Sequence, residues 1–170
     1  MKKKIAVFGI ISLGAAALAL SVSKTALAVD ATGDSSATVV APITLAQATA
    51  MNFGSIAPTT SAGTVVLSTA GARANSNVDL LTGGTIAAAT FNVTGGNSAA
   101  YSITLPASAV TLTAGANTMT VDTFNHDAGG TPAVGAGGTD SFNIGSTLNV
   151  GASQAAGSYS GTYQVTVSYN

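Results

Sequence analysis

The stretch "TYQVTVSYN", residues 162–170, constrains what this chain can fold into more than any other. Thr162, Gln164, Thr166 and Ser168 alternate with Tyr163, Val165, Val167 and Tyr169. A period of two sends alternate side chains to opposite faces, so the segment predicts a β-strand with one apolar and one polar face. No Lys or Pro blunts it after Tyr163, and an unblunted apolar edge is a template for further pairing. Such a strand needs a cover, from its own chain or from another.

The same alternation recurs upstream. Val39, Ala41, Ile43 and Leu45 share one parity, and Pro42, which cannot donate to a ladder, predicts an edge position or a break there. Further short strands are expected at 51–56, 64–68, 78–81, 89–94, 101–105, 110–113, 117–124, 142–144 and 148–150. Gly83-Gly84, Gly95-Gly96-Asn97, Ala114-Gly115 and Gly151 punctuate them. The one Ala-rich run that a helix could use, residues 45–51, is short and uncapped, with Asn52 and Gly54 close behind. Short strands at this spacing with glycine-rich turns predict an all-β antiparallel sandwich. The longest connection, residues 126–140 ("HDAGGTPAVGAGGTD"), is expected to be a flexible surface excursion.

The amino end has a different character. Lys2, Lys3 and Lys4 precede an apolar run from residue 5 to 20, and Ala26-Leu27-Ala28 is a small-x-small site. These predict an export signal covering residues 1–28, cleaved between Ala28 and Val29. The apolar run is short for a membrane span, which needs about 20 residues, so no stable span is expected in the mature form. The expected organisation is a signal peptide, a polar segment at 29–36 and one sandwich domain at 37–170.

Cleavage would remove every lysine. The mature chain would keep Arg73 alone against six aspartates and no glutamate, a formal charge of −5. With one cation it has nothing to neutralise phosphates, which argues against nucleic-acid binding. Cysteine is absent, so the fold has to be held by packing, without disulfide staples.

Little in the chain resembles catalytic machinery. Asp122, His126 and Asp127 lie close together in sequence, but zinc sites want three or four convergent ligands and calcium loops want more oxygen donors. "GSYSG" places Tyr159 where a nucleophile elbow needs Ser, and no phosphate-cradling loop is present. Arg73 is read as a solvated side chain, or as a partner for Asp79. Neither a cofactor nor an enzymatic activity is expected.

Counted back from Asn170, Tyr169 is penultimate, Val167, Val165 and Tyr163 follow at alternate positions, and Gly157 is fourteenth. This arrangement resembles the C-terminal signature of chaperone–usher pilins. "NFGSI", residues 52–56, is similar to the spore coat protein U group of pilin-like proteins. Taken with "ATVVAPITLAQATAMNFGSI" and "YSITLP", the chain also resembles a family of bacterial secreted proteins defined only as a domain of unknown function. The pilin resemblance implies an immunoglobulin-like sandwich lacking its last strand. A periplasmic chaperone, and then the N-terminal extension of a sister subunit, would fill the gap. Two features depart from that pattern: there is no cysteine, and residues 29–36 ("VDATGDSS") are too polar to fill a groove.

Two functions follow as expectations. In the first, the protein is an exported structural or adhesive surface subunit, self-associating or served by a chaperone and usher. Val39, Ala41, Ile43 and Leu45 would then be donated to the Gly157–Tyr169 strand of a neighbour. In the second, the same four residues form the domain's own first strand, and the protein is a self-complete monomeric binding module of unknown ligand.

Overall fold

The computed structural model describes residues 27–170, and among them it contains strands and no helix. Thr38–Asn170 forms one compact unit. Residues 27–37 belong to a separate unit and are exposed, without regular structure. Of the expected cleavage site, Ala26 lies outside the described residues, as does most of the expected signal, while Ala28 and Val29 are exposed.

The organising element is a 12-residue strand, β12 (Thr139–Val150), where two strands at 142–144 and 148–150 were expected. Along one edge it pairs first with β8 (Ala89–Thr94) and then with β4 (Gly63–Leu67); along the other it pairs with β11 (Asn117–His126). The sheet is extended by β1 (Thr44–Thr49) on β8, β10 (Val110–Ala114) on β11, and β5 (Arg73–Ser76) on β4. All these pairings are antiparallel, giving one seven-stranded sheet.

Gly145 marks the handover from β8 to β4. A glycine reads as a strand break, yet here it keeps the strand whole. A Cβ on Gly145 would stand 2.9 Å from Ser68 C and Thr69 N, with the Leu67 carbonyl nearer still. Only a residue without a side chain lets the two partner strands abut.

The second layer is discontinuous. It consists of three separate two-stranded ladders: β2 (Asn52–Phe53) with β7 (Ile86–Ala87), β3 (Ile56–Pro58) with β6 (Val78–Leu80), and β9 (Tyr101–Thr104) with β13 (Thr166–Tyr169). The two layers enclose an apolar interior, which makes the fold all-β and sandwich-like. Ala89, Phe91, Val93, Tyr101, Phe142 and Ile144 form one buried cluster, with Phe91 and Phe142 stacked at 5.8 Å. Val65, Val78, Val121, Leu148 and Val150 form another. At roughly 1.5–3 kcal/mol for each large apolar side chain taken from water, these clusters hold the domain without disulfides.

The structure corrects two further expectations. The connection at 126–140 is not a free excursion. Val134 is buried in the first cluster, Ala133 bridges Ala100, and Val134 N–H donates to Ala99 O at 2.9 Å. The first strand begins at Thr44, two residues beyond Pro42, and runs through the Ala-rich segment. The missing N–H of Pro42 explains why the ladder starts only after it.

Gly145→Ala should retain the fold but lower its stability by about 1–3 kcal/mol, the usual cost of overpacking. Chemical denaturation checks this, and an unchanged midpoint would contradict the packing described for β12.

Candidate functional site

The candidate site is a cleft of about 760 Å³ that opens where the second layer is interrupted. Its floor is the inner face of the large sheet, lined by Val110, Leu112, Met119, Val121, Phe124 and Leu148. One wall is residues 51–56 and the other residues 157–161 with Tyr163.

The first wall is held by polar contacts. Asn52 Oδ1 accepts from Gly54 N–H at 2.8 Å, and Gly54 takes φ +70°, a conformation that favours glycine. Arg73 Nη1 donates to Phe53 O at 2.7 Å and Ser55 O at 3.1 Å, while Nη2 donates to Leu81 O at 3.1 Å. Instead of standing free in solvent or pairing with Asp79, the half-buried guanidinium clips three carbonyls together. The buried Ser146 hydroxyl donates to Met51 Sδ at 2.9 Å and anchors the wall to β12.

Gln154 supports the second wall. Its Nε2 donates to Thr118 O at 3.1 Å and to Tyr159 Oη at 2.8 Å, and the Tyr159 hydroxyl in turn donates to Ala155 O at 2.7 Å. Beyond it the chain touches β10 at one bridge, Thr113 with Ser160. Gly161 lies so close to β10 that a Cβ there would meet Leu112 Cδ2 at 2.9 Å.

The strand expected over 163–170 is shorter than its alternation implied. Tyr163, Val165, Val167 and Tyr169 all pack inward against the first cluster, yet only residues 166–169 pair, with β9. Gly157 lies outside any strand, where an added Cβ would touch Ala114 Cβ at 3.0 Å. Alternation sets which face is apolar, whereas a strand needs a paired ladder, and 161–165 has none.

The ladder also fixes which backbone groups are free. Thr166 faces Thr104, Ser168 faces Ser102, and Asn170 N–H donates to Ala100 O at 3.2 Å. In an antiparallel pair alternate residues point their N–H and C=O at the partner. The even-numbered residues face β9, so Val165, Val167 and Tyr169 present theirs to the opposite edge. The free edge of β13, its open rim, begins two residues beyond Tyr163, the last residue to line the cleft.

The expected first-strand residues divide between two situations. Leu45 pairs with Val93 in β1, and it and Ile43 pack into the domain's own core. Ala41 is exposed and Val39 is 95% exposed.

Tyr163 lies at the junction of cleft and core, tilted on Phe124 at 5.1 Å. Its hydroxyl is buried without a hydrogen-bond partner among the described residues, and burial pushes its pKa up to about 12. Tyr101 is held well above the ordinary phenol range, first by burial and then by its 2.7 Å hydrogen bond to Asp140 and that carboxylate's charge.

Asp122, His126 and Asp127 do not converge. The Asp122 carboxylate accepts from Thr123 Oγ1 and Asn149 Nδ2, the Asp127 carboxylate accepts from Asn143 N and Nδ2, and His126 meets the Phe142 ring edge-on. Among the described residues, no three His, Cys, Asp or Glu side chains come together as metal ligands.

Arg73→Met should lower stability by about 1.5–3 kcal/mol, since three carbonyls lose a charged donor. A calorimetric melt that does not move would contradict the clip. A raised phenol pKa means that stability is intact below the unfolded value near 10 and is lost as pH climbs through the folded value near 12. Tyr163→Phe removes an unpartnered hydroxyl, so at neutral pH it should cost nothing or stabilise slightly. The same variant should soften the loss of stability between pH 10 and 12, measured by alkaline unfolding.

No curated protein and no solved structure matches the chain. Residues 43–169 match DUF4402, a domain of unknown function, and the match spans the large sheet, the broken layer and the rim. The chain belongs to the DUF4402 family.

Proposed function

We propose that this protein is an exported, pilin-like structural subunit of immunoglobulin-like architecture, which assembles at the cell surface by accepting a β-strand from a sister subunit. The observation that carries the reading is the gap in the second layer. An apolar floor lies under it, walls 51–56 and 157–163 flank it, and the free backbone groups of Val165, Val167 and Tyr169 continue its line. A strand laid there would satisfy those groups and bury alternate side chains, the logic of strand addition at an exposed sheet edge. Each aliphatic side chain seated in the cleft would contribute about 1.5–3 kcal/mol. The donor in this reading is the exposed stretch containing Val39 and Ala41, which lies ahead of β1 in an export-processed chain. A periplasmic chaperone would shield the rim before assembly. The protein's role is structural or adhesive, without catalysis.

One observation favours a second reading, the self-complete binding module: β1 already pairs with its own β8, and Ile43 and Leu45 already fill its own core. For the same reason a charge at Ile43 or Leu45 would damage the fold itself. Val39 is a cleaner position, since it is 95% exposed in the isolated subunit yet would be buried in an assembly.

The processed protein, run unheated on a denaturing gel, should give high-mass ladders. Val39→Asp should abolish them and leave the melting temperature of the monomer unchanged. Ladders that persist in Val39→Asp would rule out this donor. A wild-type protein running as a single folded monomer at all concentrations would favour the binding module.

A further inference from the structure

Residues 38–43 bear no strand and take part in none of the backbone hydrogen bonds outside strands. Two contacts hold them on the domain before Ile43 enters the core. The Tyr169 hydroxyl donates to Ala41 O at 2.6 Å, and it accepts from Gly96 N–H at 2.7 Å. Val40 rests on Gly96, where any side chain would collide with it, and Gly95 likewise leaves room only for the Tyr169 hydroxyl. Gly95 and Gly96 thus form a notch that receives one side chain from each end of the domain.

We propose that Tyr169, a residue of the open edge strand, is an autoinhibitory latch whose hydroxyl holds residues 38–43 on their own domain. The proposal rests on the strand-donation reading for its consequence and on the notch geometry for its existence. A latched subunit offers no free extension. Release frees the extension, so a single hydroxyl on the acceptor strand controls the donor. The coupling is local: the latch joins β13, the β8–β9 turn and the extension, and leaves the large sheet untouched.

The test uses two variants of the processed protein. Tyr169→Phe keeps the ring and removes the hydroxyl. Val40→Cys/Gly96→Cys introduces the only two cysteines in the chain. A Cβ built on Gly96 stands 3.5 Å from Val40 Cβ, within the span of a disulfide. Elastase, which cuts after small apolar residues, should cleave monomeric Tyr169→Phe after Val39 or Val40 about three- to tenfold faster than wild type, the population change expected for one lost hydrogen bond. Oxidation of the double variant should stop both this cleavage and ladder formation, and reductant should restore both. Equal elastase rates in wild type and Tyr169→Phe would overturn the latch, as would failure of the two cysteines to join. If ladders form equally in the oxidised and reduced double variant, the latch does not govern assembly. If no protein forms ladders at all, strand donation falls, and the elastase comparison alone decides whether the latch exists.

Discussion

A β-strand carries hydrogen-bonding groups on two edges, and buried backbone groups have to be paired. In this domain the large sheet meets that requirement around β12, which has partners along both edges. The second layer does not: its three ladders have two strands each, and β9–β13 forms a sheet separate from the β2–β7 and β3–β6 pairs, which Ser55 links through Gly83 O and Leu81 N. The cleft, the partly buried floor residues and the free edge of β13 all follow from that imbalance. A chain able to build a seven-stranded sheet has left the facing layer incomplete along one line.

Stability and openness are separated along the same division. The stacked Phe91–Phe142 pair and the fully buried Val65, Leu67, Val93 and Ile144 lie on the large sheet. Around the gap, rigidity comes instead from polar clips: Arg73 on three carbonyls, Gln154 on the 151–159 segment, and Ser146 on Met51. Such clips fix the walls without filling the space between them. They allow a chain without cysteine to keep a cleft with an apolar floor open instead of collapsing into it.

Much of the fold was legible in the sequence, because side-chain alternation reports facing directly. The strands at 89–94, 101–104, 110–114 and 117–126 sit within a residue or two of where the pattern put them. Failures came where backbone pairing, rather than facing, decided the outcome. Gly145 reads as a break but is the only residue that fits between β8 and β4. The alternating run ending at Tyr169 looks like one strand, yet half of it lacks a partner. Arg73, Val134 and the Gly95–Gly96 notch act through residues 8 to 73 positions away, or through shape alone, so no local pattern marks them. The pairing rim was legible as a liability; the cleft beside it was not, because its two walls are about 100 residues apart.

Amide hydrogen exchange along residues 165–170 of the isolated subunit probes the central claim most directly, because it reads each edge of β13 separately. Slow exchange at Thr166, Ser168 and Asn170, with fast exchange at Val165, Val167 and Tyr169, is the predicted alternation. Uniform protection of all six amides in a monomer would mean that the rim is already paired within the chain, contradicting an incomplete second layer.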